Sequence, residues 1–417
     1  MKKLSLAAIV ALGAFGSLNA APLEEAIKDI DVSGFGRYRY QSTRVHGSLP
    51  ADKSVDAHHR FTLDVNFKAT LDDNFFSVIG VRYDSADVSG TGVNSAFKGI
   101  TNNRGGLMGI NNGPNKNGWG GSGDSFAIRQ YYIGFTGIPD TTVMLGRQTI
   151  GGFFADDAVG TGMLVLNNSI EGLTFGLIAY DNIEDDGDEG AVPDPYDAFI
   201  YQNNLYGASI IANYDWFFAQ AWYGHLQNVA NFWVIDIDPR IKINDDISLR
   251  ARVNVGGTHL TGRMKDASVL NGNSMFYAIN LGGTFSYFDI DAGFISFGKK
   301  NHRSAHALEH HAKYIFAGEE LLHYEAFSGK NTAWFVKAGV NYEGYSAGID
   351  YVHDKIKADP VHGGQDVKAS EIVARAGYRY NDKLSFKAWY SFITKKEADT
   401  GLKEKSDRFR FDATYNF

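Results

Sequence analysis

From Arg408 to the end of the chain, two kinds of side chain alternate without a slip. Arg408, Arg410, Asp412, Thr414 and Asn416 fall on one face, and Phe409, Phe411, Ala413, Tyr415 and Phe417 on the other. A period of two is the signature of a β-strand with two unlike faces. A tilted strand of about ten residues crosses a bilayer. An arginine facing lipid at the bilayer midplane would cost about 2–4 kcal/mol, so Arg408 and Arg410 must look into water. Aromatics in lipid and arginines in a wet lumen require a closed sheet, because an open edge cannot sit in hydrocarbon.

The same alternation recurs upstream. Phe61, Leu63, Val65, Phe67 and Ala69 share the apolar face of a second clean strand. Arg60, Thr62, Asp64, Asn66 and Lys68 share its polar face. Short turns are expected at 72–74, 138–140, 171–172, 215, 244–246, 288–289, 343–344 and 381–383. Longer loops are expected at 41–55, 85–124, 151–162, 184–202, 227–230, 261–273, 301–331, 357–369 and 395–405. Eight turns and nine loops join about 18 strands, an even number as single-chain barrels require. The fold class is therefore all-β: a transmembrane antiparallel β-barrel with short periplasmic turns and long extracellular loops. Both termini then lie on the periplasmic side.

Proline tests this map, since it cannot donate to a sheet ladder. Pro239, inside the run Phe232–Ile243, calls for a bulge there. Arg129 and Arg147, placed inward, leave Gln130, Thr142, Gly146 and Gln148 on an outer face that is oddly polar. That face is read as a sign of subunit contact in a cyclic assembly, a homotrimer or similar ring.

Composition adds an address. Residues 1–20 read as a signal peptide: Lys2 and Lys3, an apolar stretch from Leu4 to Phe15, then Leu18-Asn19-Ala20 before the cut. Residues 21–417 form a single barrel domain. Removing Lys2 and Lys3 takes the formal net charge from −8 to −10. An acidic chain without a basic tract argues against nucleic acid as a partner. With no cysteine among the 417 residues, disulfide and thiolate chemistry are out. The mean hydropathy of −0.24 is low because only alternate residues of a barrel meet lipid.

Several segments resemble the Campylobacter major outer membrane porin family. They are Pro22 to Gly34 followed by Arg37-Tyr38-Arg39-Tyr40, then Leu145-Gly146-Arg147-Gln148, Phe153 to Gly162, and Asn168 to Thr174. The likeness extends to Phe417. The resemblance implies an eighteen-stranded trimeric porin of the Gram-negative outer membrane, passing ions and small hydrophilic solutes by diffusion and preferring cations. It also implies a calcium ion held by acidic residues near the constriction, with Asp157 and Asp124 as candidates here. Passive diffusion requires no cofactor.

A pore needs an eyelet, and the loop 151–162 is assigned that place. Its acids Asp156 and Asp157, with Asp124, form the acidic side of the constriction. The basic pore lining is Arg37, Arg39, Arg60, Arg129, Arg147, Arg250, Arg252, Arg375, Arg379, Arg408 and Arg410. Carboxylates facing guanidinium groups set up a transverse field that sorts solutes by charge and dipole. The plainer role for these arginines is a ladder paired with wall acids such as Asp64 and Asp412. His306-Ala307-Leu308-Glu309-His310 matches the inverted zinc-protease pattern and is the one hint of an outer-membrane barrel hydrolase. Metal binding there, without catalysis, is the milder alternative. Loop 301–331 is also the candidate surface for a loop-mediated adhesin. The acidic run Asp181–Glu189 lacks the ligand spacing of a calcium loop. The glycine-rich 105–123 lacks the Lys-Ser/Thr of a phosphate loop.

Overall fold

In the computed structural model, residues 30–46, 54–86, 125–155, 157–184 and 203–417 are described. The expected signal peptide, residues 21–29, the glycine-rich 105–123, most of the acidic run 181–189, Asp124 and Asp156 lie outside them. Eighteen strands follow one another: β1 Ile30–His46, β2 Ser54–Thr70, β3 Phe75–Ala86, β4 Ser125–Ile138, β5 Thr141–Thr149, β6 Val159–Ile170, β7 Leu173–Glu184, β8 Leu205–Tyr214 and β9 Phe217–Leu226. The second half comprises β10 Ala230–Lys242, β11 Ile247–Leu260, β12 Ser274–Phe285, β13 Phe288–Ser304, β14 Phe327–Tyr342, β15 Tyr345–Asp359, β16 Gln365–Arg379, β17 Leu384–Glu397 and β18 Lys403–Asn416. Each strand pairs antiparallel with its sequence neighbours, and β1 pairs with β18, so the 18-stranded sheet closes. Phe417 completes the seam: its amide and carbonyl each bond to Gly34 at 3.0 Å. Among the described residues no helix is long and apolar enough to cross a membrane.

The turns follow local chemistry. Asp72, Asn244 and Asn381 each open a turn whose side-chain Oδ1 accepts from the amides two and three residues on, at 2.7–2.9 Å. Glu343-Gly344 joins β14 to β15 with both φ values positive, +46° and +85°, the backbone of a two-residue hairpin. The turn expected at 288–289 lies at Ser286-Tyr287 instead. Phe288 and Asp289 are already in β13, paired with Phe285 and Thr284.

Two further expectations are corrected by the ladders. Pro239 needs no bulge. Ile237 faces Val253 and Arg240 faces Arg250 in one unbroken register, and Pro239 sits opposite Phe217, the first residue of β9. At the end of the shared ladder its missing N–H interrupts little. A bulge does occur in β4, where Gly80 faces Gln130 but Val81 faces Ile128, leaving Arg129 as the extra residue. It turns Gln130 inward to donate to Asn66 Oδ1 at 2.9 Å. On β5, Leu145 is the exposed apolar residue, so strict alternation puts Thr142 on the opposite face. Gly146 adopts φ +133°, where an added Cβ would lie 2.4 Å from the Tyr131 carbonyl. Beyond it Arg147 and Gln148 are both buried, and Gln148 Nε2 donates to the Met144 carbonyl. The polar outer face expected on β4–β5 therefore dissolves, and the sign of a subunit contact read from it goes too.

The core of this barrel sits in its lumen. On β12, exposed Met275, Tyr277 and Ile279 alternate with buried Ser274, Phe276 and Ala278. Phe276 is fully buried although it faces inward. The same holds for Ile295, Phe297, Ala333, Phe335 and Val352 on the following strands. These residues pack under the long loop 305–326 between β13 and β14, which contributes Leu308, Tyr314, Ile315, Leu322 and Tyr324.

Candidate functional site

Two loops meet inside the barrel. One is 150–158, between β5 and β6; the other is 305–326, which starts eight strands further round the ring. The Leu308 amide donates to the Phe154 carbonyl at 2.7 Å, and the Lys313 amide to the Phe153 carbonyl at 3.1 Å. Phe153 meets the Tyr314 ring edge-on at 4.8 Å. Glu309 Oε2 accepts from the amides of Asp157 (3.1 Å) and Ala158 (3.0 Å), and Arg129 Nη2 donates to the Asp157 carbonyl at 2.9 Å. One carboxylate and one guanidinium thus lock the junction.

Loop 305–326 is tied to the wall on both sides. Toward β10–β12, Ile315 N donates to Asn254 Oδ1 at 2.6 Å, and Arg252 donates to the Lys313 carbonyl. Toward β16 and β18, Glu371 accepts from three successive amides, Glu319, Glu320 and Leu321, at 3.0–3.1 Å, and Glu320 pairs with Arg408. A carboxylate in a nest of amides is a strong anchor. Loop 301–331, expected as an external surface, is therefore largely an internal bridge. Loop 151–162, expected to form an eyelet, is in contact with loop 305–326. The signal that could have revealed this is loss of alternation. Met275 to Ile279 and Ala333 to Val336 are apolar on both faces, which marks strands covered on both sides.

The zinc-protease pattern is pulled apart. Both ring nitrogens of His306 are within bonding distance of hydroxyls, Nδ1 of Thr258 at 2.9 Å and Nε2 of Ser274 at 3.0 Å. Burial pushes its pKa down to about 3. Glu309 caps the 157–158 amides, and only His310 joins other histidines. No catalytic triangle results.

The basic lining is placed as follows. Arg39 grips Asp412 with two bonds of 2.7 and 2.9 Å; Arg60 meets Asp84 at 3.1 Å. Arg252 holds Asp236 at 2.9 and 3.1 Å, Arg375 holds Asp350 at 2.9 Å, and Arg250 pairs with Asp291. Arg82, absent from the expected lining, pairs with Asp64 at 2.9 Å. Arg410 bonds Gln41 Oε1 at 2.8 and 3.0 Å and lies 5.0 Å over the Trp389 ring. Arg37 lies 5.6 Å over the Phe35 ring, and Arg147 is buried beyond Gly146. Arg379 is exposed at the end of β16, beside the short turn to β17. Of the acids, Asp157 is half-buried at the loop junction, while Asp124 and Asp156 lie outside the described residues. Sequence reasoning did not foresee that Glu309, Glu320 and Glu371 anchor the two inward loops.

A closed 18-stranded barrel with a wet, charged wall and an inward loop bridge is the architecture of a diffusion channel. The model of the Campylobacter major outer membrane protein family matches residues 1–417. The chain belongs to that family. Solved structures with the same fold include Pseudomonas aeruginosa OccK9 (OpdG), with a TM-score of 0.67 at 12% identity, covering 93% of this chain and 99% of that one. The outer membrane protein OprD from the same organism has a TM-score of 0.64 at 14% identity, covering 93% and 94%. OccAB4 of Acinetobacter baumannii has 0.63 at 11%, covering 93% and 98%. No curated protein matches the chain. As a member of this family, the chain is an outer-membrane porin for small solutes.

Proposed function

We propose that this porin is a cation-preferring, non-enzymatic diffusion channel. One observation carries the reading: the inward arginines are neutralised locally. Seven of them, Arg39, Arg60, Arg82, Arg250, Arg252, Arg375 and Arg408, each pair with a carboxylate. A paired guanidinium exerts little field beyond its partner, so the net negative charge, −10 once Lys2 and Lys3 are removed from the formal −8, sets the bias of the pore. Reversal potential across a planar bilayer in a KCl gradient tests this. A potassium-over-chloride permeability ratio above one is expected, and a ratio below one overturns the reading.

The assembly we propose is a homotrimer built on the low side of the wall. β5, β8 and β9 are only 9, 10 and 10 residues long, against 17 for β1, β2 and β13. Short spans are costly against lipid, and association relieves the mismatch. Native mass measurement in mild detergent should give three chains. The long loops would face outward and both termini the periplasm, after removal of residues 1–20. Calcium is carried forward from the family resemblance. Asp157 supplies one carboxylate, whereas the ion takes six to eight oxygens. Asp124, the other candidate, lies outside the described residues. Calcium titration of wild type against Asp157→Asn checks this, with weaker binding expected in the variant.

A further inference from the structure

Three histidines of the inward loop have no part in what is described above. One ring nitrogen from each of His310, His311 and His323 lies within 4.8 Å of the others. The rings stack almost parallel, with centroids 4.5 Å apart for His310–His311 and 5.1 Å for His310–His323, both pairs inclined by 9°. Phe316 stacks on His311 at 4.4 Å.

The hydrogen bonds behind the rings are informative. His311 Nε2 meets the Leu322 carbonyl, and His323 Nε2 meets the Glu320 carbonyl at 3.0 Å. A carbonyl can only accept, so both Nε2 atoms carry the proton and both Nδ1 atoms present lone pairs. An imidazole oriented by a backbone carbonyl is the usual support of a metal ligand. His311 is buried beside the other two and would bind as the neutral imidazole. His310 and His323 are half-buried.

We propose that His310, His311 and His323 form a site for a borderline divalent transition-metal ion, Zn²⁺ above all. Occupancy would clamp the two arms of loop 305–326 together and place positive charge at the constriction. Three imidazoles and one water suit Zn²⁺, whose bonds to nitrogen are about 2.0–2.1 Å. Tetrahedral ligand nitrogens then stand roughly 3.3 Å apart, so the rings must close by at most about 1.5 Å and rotate out of their parallel stack, because each imidazole lone pair lies in its own ring plane. The binding claim stands apart from the channel reading; its effect on current rests on that reading.

The test is calorimetric titration of the folded, detergent-solubilised protein with ZnCl₂, beside single-channel recording with and without ZnCl₂. Wild type should bind one Zn²⁺ per chain, and Zn²⁺ should reduce its current. His310→Ala and His323→Ala, whose rings are not fully buried, should weaken binding by at least about 10–100-fold, the loss seen when even an outer-shell partner is removed. They should also abolish the Zn²⁺ effect on current. His353→Ala, on the outer face of β15, should change neither. Heat-modifiable mobility confirms that each variant is folded. Absence of saturable binding in wild type, or equal affinity in His323→Ala, would overturn the proposal. Binding that survives at the three histidines without altering the current would count against the channel effect alone.

Discussion

β18 and β12 belong to one sheet, yet their inner faces differ in kind. On β18 the inward residues are Arg408, Arg410, Asp412 and Thr414, and the wall beside them is a ladder of charge pairs. On β12 the inward Phe276 and Ala278, between Ser274 and Asn280, pack beneath the loop, with Tyr314 and Tyr324 at 4.4 and 5.0 Å from Phe276. One side of the lumen is lined for water; the other is the floor of a hydrophobic core that a loop completes. The contrast shows that the inward face of a barrel strand is set by what stands opposite it. Where water stands, polar residues are required. Where a loop stands, burial of apolar area stabilises both loop and wall.

The strongest way to break the contrast is to remove the loop. Replacing 307–323 by a short Gly-Ser link should raise single-channel conductance at least about twofold, since a bridge across the lumen is lost. It should also leave Phe276 and Phe335 facing water. A smaller effect comes from neighbouring residues of opposite parity. Phe276→Ala should cost about 3–5 kcal/mol of loop-and-wall stability and make loop 305–326 sensitive to added protease. Tyr277→Ala, one residue away on the outer face, should leave the loop protected. Equal sensitivity in the two variants would mean that the inner core does not hold the loop.

On the charged side, Arg39→Ala leaves Asp412 without its bidentate partner. The pair is largely shielded from water, and the carboxylate regains solvent only where the arginine is cut away, so the cost should be roughly 1–3 kcal/mol. The potassium-over-chloride ratio should rise. Arg39→Ala/Asp412→Ala should return the ratio toward wild type, and a double variant that stays shifted would contradict local neutralisation.

The mildest probe is pH. His306 is held neutral in the folded state, with a pKa near 3 against an ordinary 6.5. The unfolded chain therefore binds the proton first as pH falls. His306 contributes its full stability above about pH 6.5, and this contribution is lost as pH drops from there toward about 3. His306→Asn should flatten that slope in thermal melts between pH 6.5 and 4, without changing stability at pH 8 by more than about 1–2 kcal/mol.

Much of the architecture was legible in the sequence because lipid and water impose a period of two on every unaided strand. The clean alternation of Arg408 to Phe417 and of Arg60 to Ala69 was sufficient for closure and for the ladder acids Asp64 and Asp412, and the spacing of turns and loops gave the strand count. It failed where backbone geometry changes parity: Gly146 and the Arg129 bulge turned an apparent polar outer face inward. It failed again at loop 305–326, where a tyrosine or glutamate in a polar stretch looks the same whether solvated or docked.

The sequence alone determined that this chain is a membrane barrel with a charged lumen, since the energetic difference between lipid and water is large and is written residue by residue. Only the tertiary structure decided which loops fill the lumen, that Glu309 and Glu371 hold them, and that His310, His311 and His323 converge. Those outcomes depend on contacts between segments tens to hundreds of residues apart, and no local pattern of side chains encodes which distant backbone amide a carboxylate will find.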